Sequence, residues 1–264
     1  MIIKQINKYD AVEFTQKYHY APVMPRITKH YLGMFHNDEL VAVTTLGWGT
    51  RPLHTISKFF EELNSDHYFE IGKQCVHPDM PKNTGTQLLS LVCKWIKENY
   101  PHKLFLYTMA DGIMGKTGIQ YQAANFYYAG SFITQVYMVN GEKCHPRSVR
   151  PLLEDNAKQL GVEKLSWLKP AYMLANDIQK IQGLMFRYWM PLSKKANKMI
   201  QRRQPDWRKS EYPKDVDLAW WDMTAGRGKI TQIEQPSFTW DDPVFNKRNI
   251  ESHKSAQVKV TDFE

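Results

Sequence analysis

Three cysteines in 264 residues, Cys75, Cys93 and Cys144, with no Cys-x-x-Cys among them, leave no disulfide framework and no zinc-ligand spacing. So sparse and odd a set suits a reducing cytoplasm. No apolar run approaches the roughly 18 residues of a membrane span. Met1-Ile-Ile-Lys opens an amphipathic segment rather than a signal peptide, so a cytoplasmic location without a membrane partner is expected. There is no internal repeat and no low-complexity tract, which excludes solenoids and fibrous arrays. Acids are the scarce charge: 27 Asp and Glu against 35 Lys and Arg, a net charge of +8. Such a balance favours polyanionic partners, either nucleic acid or a phosphate-bearing cofactor.

Apolar residues make up 42% of the chain and aromatics 13%, ample for a buried core. Residues 5–18 read as a helix carrying Ile6, Val12, Phe14 and Tyr18. Residues 30–35 and 40–49 alternate as strands, joined by the short connection His36-Asn37-Asp38-Glu39. Residues 57–63 read as a short helix, and 67–78 as a strand ending at Pro78. Residues 84–99 predict a helix, because Leu88, Leu91, Val92, Trp95 and Ile96 recur at helical spacing. Asn83 or Thr84 is its N-cap, and Pro101 stops it. The unbroken apolar run 103–110 predicts a buried strand. Residues 118–130 read as a short helix ended by Gly130, and 132–139 as one arm of a hairpin turning at Asn140-Gly141.

The stretch from Asp111 to Gly130 concentrates chemistry. An acid closes an apolar strand and opens a glycine-bearing loop, and Tyr121 follows ahead of Gln-Ala-Ala-Asn-Phe. Titratable groups at the carboxyl end of a strand are where α/β enzymes place their reactions. The plainer reading is that Asp111 caps a turn and Tyr121 packs.

The element order resembles the acyl-CoA N-acyltransferase (GNAT-like) fold. The expectation is an α/β domain with a mixed, largely antiparallel central sheet flanked by helices, and two neighbouring strands that splay apart. In that fold a loop before a helix cradles the cofactor pyrophosphate. Val76-His77-Pro78, then Pro81-Lys82-Asn83-Thr84-Gly85-Thr86, then Leu88-Leu89 follow the pattern with a single glycine and a displaced basic residue. The resemblance implies acetyl-CoA or a related acyl donor, held by Lys73, Lys82, Thr84, Gly85 and Thr86.

A narrower resemblance is to the Mom-like phage DNA-modification proteins, a divergent group of the same fold. It rests on His19-Tyr20, on Glu70-Ile-Gly-Lys73 and on the loop from Pro81 to Thr86. It extends through Ala110-Asp111, Gly118 to Phe126, Tyr128, Gly130, His145-Pro-Arg-Ser148 and Phe186 to Leu192, covering about residues 5–205. It implies an enzyme of a phage, working in the bacterial host. The enzyme would transfer a carbamoylmethyl or acyl-like group to adenine N6 and shield DNA from restriction. Carried over, His19, Tyr20, Asp111 and Tyr121 form the reactive cluster. They serve either as ligands of an iron ion or as acid–base groups, with Asp111 or a tyrosine taking the amine proton. Lys73 stands where the family usually has Arg, keeping the charge without the bidentate fork. One or two of Tyr18, Tyr20, Trp48, Tyr121, Phe126, Tyr127 and Tyr128 would stack on an extruded base. Two rivals stay open: an acyl-CoA N-acyltransferase for a small amine or a protein, and a non-catalytic DNA-binding protein on the same fold. DNA, a small-molecule donor and a second copy of the chain are the candidate partners.

In the carboxyl half, residues 157–165 resemble the turn of a helix-turn-helix, against an ordinary helical hairpin capped by Gly161. Lys194, Lys195, Lys198, Arg202, Arg203 and Arg208 form a basic run suited to backbone phosphates. The expected division is 1–204 for the catalytic domain. Residues 205–264 form a basic, aromatic extension that wraps back through Trp220 and Trp221 and ends in a poorly ordered tail.

Overall fold

The computed structural model describes residues 1–20, 24–25, 27–48, 52–146, 148–207, 211–226 and 228–238. Strand β1 (Ile2–Gln5) was not foreseen. It pairs antiparallel with β2 (Thr28–His36), and the first helix, α1 (Lys8–Tyr18), starts later than expected. Asn7 caps that helix by accepting a bond from the Asp10 N–H. Strand β3 (Glu39–Gly47) returns against β2 through Asn37 and Asp38, whose φ of 50° and 64° fit the left-handed hairpin turn. The short α2 (Ile56–Phe59) leads into β4 (Tyr68–Val76). Next come α3 (Thr84–Asn99), with the bounds its periodicity predicts, and β5 (Phe105–Asp111).

After β5 come α4 (Ile119–Ala123), β6 (Tyr127–Val139) and β7 (Glu142–Cys144). Helices α5 (Arg150–Gln159) and α6 (Pro170–Ala175) precede β8 (Ile178–Pro191) and α7 (Lys194–Arg203). The strands β9 (Trp220–Asp222) and β10 (Thr231–Ile233) complete the described chain. The sheet order is β1-β2-β3-β4-β5-β8-β6-β7, and β9 adds to β8 and carries β10. Among the described strands only β4 and β5 run parallel to each other, so the sheet is mixed and largely antiparallel, as expected.

Three expectations need correction. Gly130 ends no helix: the chain leaves α4 at Asn125, and Gly130 (φ 76°) sits in an irregularity of β6 where its pairing with β8 shifts. Residues 157–165 do not form two helices. Gly161 (φ 65°) closes α5, and the next helix begins only at Pro170, so no recognition helix exists there. Strand β8, which enters the sheet between β5 and β6, had no periodic signal of its own. Gly183 in its middle admits Ile113, whose Cγ1 would lie 2.6 Å from an added Cβ.

The site depends on how far β4 and β5 stay together. Their ladder joins Tyr68 to Phe105, Phe69 to Leu106 and Glu70 to Tyr107 and goes no further. On its other side, β4 pairs with β3 through an irregularity around Gly72, where Thr45 opposes Lys73 and Leu46 opposes Ile71. Such a bulge increases local twist and bends the strand, which carries β4 away from β5. Below the divergence both sheet faces are closed. Leu88, Leu89, Val92 and Ile96 of α3 pack on Phe69, Leu106, Phe186 and Tyr188. On the opposite face Ala196 and Ile200 of α7 join Phe60, Tyr68, Phe105 and Trp189. Each large side chain so buried contributes roughly 1.5–3 kcal/mol before entropy.

Candidate active site

The divergence opens a cleft of about 470 Å³. One wall is Ile71 to Gln74 of β4 and the other is Thr108 to Asp111 of β5. The loop from Gly115 to Tyr121 covers it, and His19 and Tyr20 stand at the rim. All four members of the expected reactive cluster, His19, Tyr20, Asp111 and Tyr121, thus face one space.

Asp111 ends β5 and has two jobs. Its Oδ1 accepts the Ile113 N–H at 3.1 Å, as a turn cap would. Its Oδ2 receives the ammonium of Lys143 in an ion pair. The side chains of the pair are only 20% and 11% exposed. Lys143, on β7, was not foreseen. It lies 32 residues from Asp111 in sequence, and no local spacing announces the contact. Lys73 faces the same cleft, and burial, helped by the nearby Lys143 charge, lowers its ammonium to about 8.

The two tyrosine phenols are both shifted upward. Burial raises the Tyr121 phenol, against a hydrogen bond with Thr108. Burial, then the Asp111 and Tyr121 charges, raise Tyr20 well above the ordinary phenol range. Raised phenols hold their protons more tightly than free tyrosine, which favours Asp111 over a tyrosine as the proton acceptor. Tyr20 is still 39% exposed and stacks on His19 with ring centroids 4.4 Å apart, forming a flat aromatic rim. Among the other aromatic candidates, Phe126 is core, Tyr18 packs on Phe14 and His77, and Tyr127 binds Asn197.

The covering loop is braced from behind. Tyr188 Oη donates to the Thr117 carbonyl. The Gln122 amide donates to Tyr188 Oη at 3.0 Å and to the Pro213 carbonyl at 3.0 Å. Gly118 has φ +89°, and an added Cβ would lie 2.5 Å from the buried Tyr188 ring. Gly118→Ala should therefore destabilise the fold by about 2–4 kcal/mol, from left-handed strain and overpacking together. Urea denaturation checks this, and an unchanged midpoint would mean that the ring yields freely.

The expected phosphate loop adjoins the cleft through Gln74 and Gln120 but does not line it. Lys73 lines it, whereas Lys82, Thr84, Gly85 and Thr86 sit at the start of α3, outside the lining. Thr84 is buried and donates its hydroxyl to the Pro81 carbonyl at 2.7 Å. Gly85 lies against the Gln120 amide, which would overlap an added Cβ at 1.3 Å, and its carbonyl accepts from Gln74. Lys82 is exposed and Thr86 half-buried, and neither makes such a contact among the described residues. The first turn of α3 contains no acid.

The cluster does not fit an iron ion as folded. Asp111 gives one oxygen to a backbone N–H and the other to an ammonium, and a second cation would have to displace Lys143. Among the described residues no group of three or more His, Cys, Asp or Glu side chains is placed to hold a metal. The cysteines Cys75, Cys93 and Cys144 are buried free thiols. Lys194, Lys195, Lys198, Arg202 and Arg203 line a different groove, and Arg208 lies outside the described residues. Asp215, beyond the proposed boundary at 204, reaches the cleft as well. No described helix is long and apolar enough to cross a membrane.

Several known proteins are similar to this chain. The sequence profile of the Mom protein family matches residues 1–214. The chain is 26% identical over 214 residues to methylcarbamoylase Mom of Escherichia phage Mu, covering 80% of this chain and 83% of that protein. Among solved structures, an N-acetyltransferase from Staphylococcus aureus Mu50 aligns with a TM-score of 0.38 and 14% identity, over 72% of this chain and 96% of that one. A GNAT-family acetyltransferase from Streptococcus pneumoniae aligns with a TM-score of 0.35 and 12% identity, over 50% and 87%.

Proposed function

We propose, because the chain belongs to the Mom protein family, that it is a DNA-modifying transferase that places a carbamoylmethyl group on the N6 amine of adenine. The observation that carries the reading is the Asp111–Lys143 pair, held in the cleft between β4 and β5 beside two protonated tyrosines.

An aromatic amine is a weak nucleophile and must lose a proton as it attacks. In the transfer the N6 nitrogen forms a bond to the donor carbon. The bond from that carbon to its leaving group breaks with its electron pair, and the amine proton passes to the Asp111 carboxylate. Lys143 orients that carboxylate through Oδ2. The Tyr20 and Tyr121 hydroxyls donate hydrogen bonds toward charge that develops on donor or leaving group. The adenine must leave the base stack to enter such a cleft. The His19–Tyr20 platform at the rim offers it a face on which to stack.

An acyl-CoA-type donor fits the start of α3 in part. The helix N-terminus without acidic residues, together with Lys82 and Thr86, suits a pyrophosphate, and Lys73 faces the cleft beyond. The Thr84 hydroxyl and N–H are taken by the Pro81 carbonyl and the Gly85 carbonyl by Gln74, which leaves the Gly85 N–H, among the described contacts, as what they could offer. Bound there, a CoA-type donor would have to carry the carboxamide already and present its methylene carbon, with the leaving group on it, to N6, because a plain acyl thioester would yield an N6-acyl product instead. The host-cell cytoplasm follows from DNA as the substrate.

Mass spectrometry of nucleosides from the DNA of expressing cells tests the proposal. A new modified deoxyadenosine, absent with the empty vector, is the expected result. Unmodified DNA alongside an acylated small amine or protein would instead establish an ordinary N-acyltransferase.

A further inference from the structure

The second large concavity has a volume of about 830 Å³ and lies between α7 and the loops that precede β4 and β5. Lys194, Lys195, Lys198 and Arg202 line it from the helix. Its one acidic lining residue, Glu62, is already paired with Arg203. Among the described residues, none of the four other cations is in an ion pair. The electrostatics are unfavourable as the molecule stands. Lys194 and Lys195 occupy the first turn of α7, at the positive end of its dipole, with no acid there.

The helix is nonetheless fixed in place. Ser193 caps it through the Ala196 N–H, and Ala196 and Ile200 are fully buried. Gln204 donates to the Phe59 carbonyl at 3.0 Å, and Asn197 accepts from the Tyr127 hydroxyl at 2.9 Å. A rigid helix thus presents like charges on a concave surface. Its shape and charge complement a polyanion's backbone rather than an apolar partner.

The position of the groove is informative. It touches His67 and Leu104, which immediately precede β4 and β5. The cleft touches Lys73 and Asp111, near the other ends of the same parallel strands. Along the seven residues of β5, at about 3.3 Å each, Asp111 lies roughly 20 Å from the groove end of the strand. That equals about six base-pair steps of duplex DNA at 3.4 Å.

We infer that the α7 groove is a phosphate anchor for duplex DNA flanking the modified base, engaging the backbone about six base pairs to one side of it. The inference rests on DNA being the substrate. The anchor reads no sequence, since charge contacts to the backbone carry none. It sets the minimum length of duplex that the enzyme holds well.

The test uses the full chain and a variant with Lys194→Gln, Lys195→Gln, Lys198→Gln and Arg202→Gln. Arg203 is left to pair with Glu62. Thermal unfolding of both confirms that exposed charges leave the fold intact. Binding is measured to random-sequence duplexes of about 6, 14 and 24 base pairs over a range of salt. The wild type should gain affinity between the shortest and middle lengths. Its log–log salt slope should exceed the variant's by about 0.9 for each phosphate that the variant no longer neutralises. The variant should also lose the length dependence. Equal slopes in the two proteins would overturn the anchor while leaving the DNA reading intact. A reduced slope with length dependence unchanged would place the contact beside the target and overturn the spacing. No salt-dependent binding by the wild type at any length, with no modified nucleoside in cells, would remove the DNA reading itself.

Discussion

Asp111→Asn should lower DNA modification by roughly 10²–10⁴-fold, the range expected when a general base is removed. Interpretation needs a second variant, because the change also strands Lys143. That ammonium is 11% exposed and loses its only charged partner among the described residues. Breaking a pair buried to this extent costs about 3 kcal/mol or more. The double variant Asp111→Asn with Lys143→Gln removes both charges and should recover most of the lost stability while remaining inactive. Recovery of activity along with stability would make Asp111 a structural cap and overturn its role as base. Tyr121→Phe keeps the packing on Phe126 and Tyr188 and deletes one buried hydroxyl. It should cost about 1 kcal/mol of stability and most of the activity. Near-full activity in that variant would make Tyr121 a packing residue.

Glu70→Gln should change the pH dependence of stability more than any surface substitution. Glu70 pairs with Tyr107 at the last rung before β4 and β5 separate. Its Oε2 is buried without a hydrogen-bond partner among the described residues. Burial raises its carboxyl from 4.5 to about 7. The folded protein therefore holds this proton more tightly than the unfolded chain does. Below pH 4.5 both states are protonated and the group adds no slope. Between pH 4.5 and 7 the unfolded state ionises first, so stability falls as pH rises. Above about pH 7 the full penalty is present, at most about 3 kcal/mol from a shift of this size. Glutamine has the same shape and no charge. The variant should lose this downward slope and be more stable than wild type at about pH 8, measured by urea denaturation at about pH 5 and pH 8. Parallel pH profiles for the two proteins would mean that Glu70 is solvated or paired in solution.

Helix α3 was legible to the residue because its apolar positions repeat locally and a proline follows. The β2–β3 and β6–β7 hairpins were legible for a related reason. Asn37-Asp38 and Asn140-Gly141 adopt left-handed backbone that few other residues tolerate. Asp111 was recognisable from its place after an apolar run, and Tyr121 from the motif around it. Strand β1 was too short to show a period, and β8 is patterned by partners on both sides, so its inward positions mix with outward ones.

What the sequence determined alone was therefore the local grammar: most elements, the acid that ends β5, the basic stretch of α7 and the family resemblance. Tertiary structure decided which groups meet. It brought Lys143 to Asp111 across 32 residues and raised the Tyr20 and Tyr121 phenols above their ordinary range. It closed Gly85 with Gln120, and it placed the basic groove at the far end of the strands from the cleft. The physical reason is range. Propensity and capping act over a few residues, whereas strand pairing, desolvation and charge pairing depend on neighbours that only the folded sheet brings together.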